Sequence, residues 1–160
     1  MFHITILAVG RLKERYLSEA VSEYLKRLSA YAKVSVIEVE DDGFAENLTA
    51  QGREKVKLKE GERILSRLRP GAFVIALDPG GKTKTSEEMA EMLDKLALDG
   101  RGELAFIIGG SLGLSQAVLE RSELKLSFSK FTFPHQLMRV ILLEQVYRWF
   151  KIARGEPYHH

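Results

Sequence analysis

Three stretches of this 160-residue chain hold residue types at spacings that could do chemistry: "IALDPGGK" (75–82), "LAFIIGGSLGLS" (104–115) and "PHQLMRVILLEQVYRWFKIARGEPYHH" (134–160). In the second, an apolar run breaks into Gly109, Gly110 and Gly113. Such a turn can cradle phosphates, hold a cofactor that has none, or only reverse the chain. The dinucleotide fingerprint needs G-x-G-x-x-G between a strand and a helix that starts at once, and these glycines do not fit it. "GGKT" lacks the upstream glycine of a phosphate-binding Walker loop. A loop rich in glycine, serine and leucine and poor in charge suits a neutral or cationic ligand, whose adenine edge backbone groups can read. Nearby lysines would disfavour a sulfonium. From the glycines alone, tight turning and close packing are the commoner use.

The third stretch carries Arg139, Glu144 and Arg148 inside an apolar band, then Lys151, Arg154, Tyr158, His159 and His160. Arginines, a phenol ring and imidazoles can hold a phosphate backbone, stack a splayed base and move a proton. The plain alternative is a frayed end. No Asp/Glu/His cluster has metal-ligand spacing. The absence of cysteine excludes disulfides, thiolate metal sites and a cysteine nucleophile, and fits a reducing cytoplasm. A net charge of +2 means that any nucleic-acid binding depends on where charge sits rather than on its total.

The elements that must position these residues follow from periodicity. "HITILAV" (3–9) reads as a strand rather than a signal peptide or membrane span, and 13–32 as a helix with one apolar stripe. "KVSVIEVE" (33–40) is a strand, 41–49 a polar loop, and about 51–68 a charged helix stopped by Pro70-Gly71. "AFVIALD" (72–78) and "ELAFIIGG" (103–110) are uniformly apolar, as strands buried on both faces of a parallel sheet are. "PGGKTKT" (79–85) reads as a loop. Thr85 and Glu88 form a capping box for a helix over 86–98. A short helix "SQAVLERS" (115–122), a strand from Leu124 that dissolves into a loop, and a helix from Pro134 to about Arg154 complete one α/β domain, residues 1–160, with a mostly parallel sheet. The last helix has apolar residues on two sides, so a second surface must cover it: another copy of the chain, or other parts of the same one.

With these residues in hand, the chain resembles the SPOUT-class methyltransferases, and among them the RlmH family of bacterial 23S rRNA (pseudouridine-N3)-methyltransferases. The resemblance rests on "ITILAVGRLKERY", "LD…GK…SE" from Leu77 to Glu87, "IIGGSLGL", "LSFSKFTFPHQLMRVILLEQVYR" and "PYHH", in order along the whole chain. It implies a SPOUT-type sheet flanked by helices with a C-terminal trefoil knot, and a cytoplasmic homodimer. The cofactor would be S-adenosyl-L-methionine, with no metal. The substrate would be a pseudouridine in the interfacial hairpin of 23S rRNA, modified on assembled ribosomes. Carried over by position, Leu77, Gly109, Phe128, Ser129, Lys130, Phe131, Thr132 and Phe133 would line the cofactor site. The tail would approach the partner's cofactor, with His159 as base or proton relay, Tyr158 stacking or hydrogen-bonding, and Arg139 holding developing charge. Arg148, Arg154 and His160 would hold RNA. Relatives tend to place lysine or arginine where this chain has His160. Two other readings stay open from the residues: an oxidoreductase with a nucleotide in the same crevice, and a non-catalytic ribosome-binding module of the same fold.

Overall fold

Strands β1 (Phe2–Val9), β2 (Ala32–Val39), β3 (Phe73–Thr83), β4 (Glu103–Ile108) and β5 (Leu124–Ser127) form one sheet in the order β2-β1-β4-β3-β5. All its pairings are parallel. The computed structural model describes residues 1–43 and 47–160; the expected polar loop over 41–49 therefore falls partly outside the described residues. Parallel strands need crossovers, which α1 (Arg15–Leu28), α2 (Ala50–Leu65), α3 (Ser86–Leu98) and α4 (Gln116–Arg121) supply, and α5 (His135–Ala153) follows the last strand.

Side chains alternate along each strand, so the sheet feeds two cores. Ile4, Ile6, Ile75, Leu104, Phe106 and Leu126 point to α1, α3 and α5. Leu7, Val9, Val74, Ala76, Ala105 and Ile107 point to the side of α2 and α4. This two-sided burial explains why β3 and β4 read as unbroken apolar runs. The capping box at Thr85 and Glu88 is formed in both directions, and α3 spans the expected residues.

Two expectations are corrected. Helix α1 ends at Leu28 rather than 32, because the Tyr31 N–H closes onto the Leu28 carbonyl and Ala32 already pairs with Phe2. The stretch expected as a loop over 79–85 belongs in part to β3, which leaves the ladder after Leu77 and regains β5 at Lys82, both residues facing Leu126. One side of α5 finds its cover within the chain, while Leu137 and Ile141 on the other stay half-buried and outside both cores. Leu142, Leu143, Val146, Trp149 and Phe150 are buried in the core that α5 shares with the sheet, α1 and α3.

Candidate active site

All five strands point the same way, so the segments that follow them gather at one edge, where ligands of open α/β sheets settle. There Leu77, Asp78 and Pro79 at the start of the β3 bulge, the turn after β4 and the 128–134 loop after β5 enclose a cavity of about 370 Å³. That volume is within the small-molecule range of ~300–1,000 Å³. The glycine turn is closed by an antiparallel bridge between Gly110 and Gly113, the Gly113 N–H donating to the Gly110 carbonyl at 3.1 Å. Gly113 takes a φ of +89°, which side chains resist. Gly109 is held for a different reason: a Cβ there would lie 2.9 Å from Leu114 Cδ2 and 3.1 Å from the Gly113 carbonyl carbon. The turn thus reverses the chain and also forms a cavity wall.

Leu77, Gly109, Phe128, Ser129, Phe131, Thr132 and Phe133 all line the cavity. Lys130 does not: its side chain is exposed and outside it. No lysine or arginine is among the described lining residues, whereas Asp78 is one of them. A cationic ligand therefore meets one carboxylate, aromatic rings and backbone. Asp78, His135 and Met138 are wall residues that the pattern of residue types did not single out, although "IALDPGGK" and "FPHQLM" contain them. Behind the turn, the buried Glu60 of α2 accepts the Asp42 N–H at 3.1 Å, and burial raises its carboxyl above the ordinary value.

Arg139 is placed otherwise than expected. It is 1% exposed, too deep to touch a substrate. Its two Nη atoms meet the Glu38 carboxylate and, at 2.7 Å, the Gly10 carbonyl, while its buried Nε has no partner among the described residues. Glu38 also accepts the Leu12 N–H, and the Lys13 N–H donates to Gln136. The first turns of α5, which carry His135 and Met138 into the wall, are thereby clamped to the segment after β1. Burial, then the charge of Arg139, hold the His135 imidazole below its ordinary 6.5. The unfolded chain therefore takes up this proton first, and stability falls as pH drops from about 6.5 toward the lower folded value. Replacing Arg139→Met is expected to cost about 2–4 kcal/mol in urea unfolding, tempered by the water that still reaches Glu38. The same variant moves the His135 NMR titration upward and makes the fall in stability just below pH 6.5 shallower.

The tail is docked rather than frayed. Glu144 accepts Arg148 Nη2 at 2.7 Å and the Tyr158 hydroxyl at 3.1 Å. Arg148 lies 4.8 Å over the Tyr158 ring and 3.1 Å from His159 Nδ1, and the other ring nitrogen of His159 meets Glu87. Burial, with hydrogen bonds to Tyr24 and Glu144, pushes the Tyr158 phenol up to about 12, so it stays protonated at neutral pH and donates. None of 157–160 lines the cavity. Ser86 and Gln145, neighbours of Glu87 and Glu144, line a second hollow that shares Leu126, Phe128 and Phe133 with the first, so the tail sits on the other side of that wall. Arg154 stacks on Tyr31 at the far end of α5, and His160 is exposed.

Residues 2–159 match the family described as "Predicted SPOUT methyltransferase". The chain belongs to the SPOUT methyltransferase family. Its curated SPOUT relatives include proteins named ribosomal RNA large subunit methyltransferase H. That of Pelotomaculum thermopropionicum is 70% identical over all of both chains. That of Carboxydothermus hydrogenoformans is 62% identical over 98% of each. That of Bacillus pumilus is 58% identical over 98% of this chain and 99% of its own. A solved structure of a probable methylase family protein from Haemophilus influenzae shares the fold, with a TM-score of 0.51 at 11% identity, over 99% of this chain and 70% of that one. No helix among the described residues is long and apolar enough to cross a membrane, and no group of three or more His, Asp or Glu residues among them could hold a metal ion.

Proposed function

We propose that this SPOUT protein is a cytoplasmic homodimeric methyltransferase that modifies N3 of a pseudouridine in the interfacial hairpin of 23S rRNA on assembled ribosomes. The observation that carries the reading is the cavity at the strand ends, with Gly109 as a wall and no cation in its described lining. Leu77, Gly109 and the 128–133 loop, Lys130 excepted, would hold S-adenosyl-L-methionine, and Asp78 would favour its positive charge. When bound, that cofactor supplies an electrophilic methyl group. We further assign the chain after β4 the trefoil knot of the family, and residues 1–160 a single domain.

The imide N3 of a uracil-type ring carries a proton, and its nitrogen offers no free lone pair until that proton leaves. His159 is assigned to take it, which requires its Nδ1 to leave Arg148 or its Nε2 to leave Glu87 when substrate arrives. Tyr158, a protonated phenol, is suited to donate a hydrogen bond or stack on the ring. Because the tail contacts its own α3 and α5 and not its own cavity, a second subunit's tail is assigned to complete each site. Arg139 serves in this scheme by fixing the cavity wall.

The test is transfer of radiolabelled methyl from S-adenosyl-L-methionine to ribosomes lacking the modification, followed by mapping of the labelled nucleotide. Label at N3 of one interfacial pseudouridine supports the reading. Ribosome association without incorporation would instead identify a non-catalytic module.

A further inference from the structure

The arginines that the sequence offers for RNA do not ring the cavity: Arg148 is engaged by Glu144 and His159, and Arg154 lies over Tyr31 at the far end of α5. We propose that Lys13, Arg53, Lys84 and Lys130 form a cationic rim around the cavity mouth that grips the phosphate backbone of the substrate RNA, with Phe131 as a stacking surface between them. This rests on the ribosomal RNA reading above and gives that substrate its docking face.

Each of the four is exposed, and each stands beside a different segment that borders the cavity. Lys13 gives its N–H to Gln136, and its charge is felt by His135 in the wall. Arg53 lines a shallow hollow with Ser111 and Leu112, the tip of the glycine turn. Lys84 borders Phe128 and Phe133 from outside. Lys130 sits within the 128–134 loop but outside the cavity, so its charge faces water rather than the cofactor.

Of the carboxylates near this edge, Glu38 is engaged by Arg139, Asp42 by Arg63, Glu54 by Lys57 and Glu87 by His159. Asp41 and Asp78 have no ion-pair partner among the described residues and are outnumbered by the four rim cations. None of the four rim cations has an ion-pair partner among the described residues. The edge therefore carries free positive charge that the chain's total of +2 conceals. Free cations alone would suit any polyanion. What favours RNA is Phe131, 78% exposed beside Lys130 and touching the cavity, since a bare aromatic ring next to a cation takes a splayed base.

The experiment compares binding to 70S ribosomes lacking the modification across ~50 to ~200 mM salt, where each phosphate contact contributes ~0.7–0.9 to the slope of log affinity against log salt. The K13Q/R53Q/K84Q/K130Q variant is expected to show a slope shallower by about 3 and low-salt affinity down by ~10–100-fold. Its dissociation constant for S-adenosyl-L-methionine stays at the wild-type value. The half-variants K13Q/R53Q and K84Q/K130Q each show about half the change in slope, which protects the test if the quadruple variant folds poorly. K33Q/K95Q, on the opposite edge, leaves the slope unchanged. An unaltered slope in the quadruple variant and both half-variants, or an equal loss in K33Q/K95Q, overturns the rim. If the wild-type protein does not bind these ribosomes at all, the substrate reading falls and the rim with it, an outcome read before any variant is made.

Discussion

Deleting residues 157–160 is expected to lower methyl transfer to ribosomes by ~10²-fold or more while leaving S-adenosyl-L-methionine affinity nearly intact. The deletion removes the proposed proton acceptor and the phenol beside it, yet touches nothing that lines the cavity. The fold should tolerate it. Tyr158 and His159 make partly exposed contacts to Glu144, Arg148 and Glu87, of the kind that contribute little to stability at such surfaces. Arg148 and Glu144 still pair without them. Thermal unfolding therefore separates loss of chemistry from loss of structure. Mixing the truncated chain with a chain whose cavity is blocked tests who supplies the tail. If the partner does, heterodimers regain one working site, and a random mixture recovers about a quarter of wild-type turnover. If each chain serves itself, both partners stay inactive. Unchanged turnover in the truncation would remove the tail from the mechanism.

Local rules made much of this fold legible, and non-local ones hid the rest. The capping box of α3 is four residues of chemistry, so its start could be read at Thr85. β3 and β4 announced two-sided burial by uniform apolarity. The return of β3 to the sheet at Lys82 could not be read, because Pro79-Gly80-Gly81 looks like any turn. What Gly81 answers to is the carbonyl of Lys125, which a Cβ would approach to 2.5 Å. α5 shows two apolar sides, yet only the topology reveals that α1 and α3 flank it. The burial of Arg139 was hidden for the same reason: its partner Glu38 is 101 residues away on a strand that alternates like a surface one. The same logic explains Asp78 and His135, which are ordinary residues until three loops converge on them.

The glycine turn gives the second large effect, because its glycines answer to different constraints. At Gly109 an added Cβ meets Leu114 Cδ2 at 2.9 Å and the Gly113 backbone at 3.1–3.2 Å. The methyls of Gly109→Val must displace that backbone or occupy the cavity. The expected result is a loss of cofactor affinity of ~100-fold or more, with about 1–3 kcal/mol of overpacking in the folded state. Calorimetric titration with S-adenosyl-L-methionine and urea unfolding read the two separately. Gly113 has open space around it but a φ of +89°, so Gly113→Ala costs about 1–2 kcal/mol of strain, with a smaller effect on binding. Gly80, where a Cβ meets only Asp78 Oδ2 at an ordinary 3.4 Å, has neither constraint, so Gly80→Ala leaves both readouts near wild type. If Gly109→Val bound the cofactor as tightly as Gly80→Ala does, the turn would be a chain reversal only, and the cofactor would have to lie elsewhere.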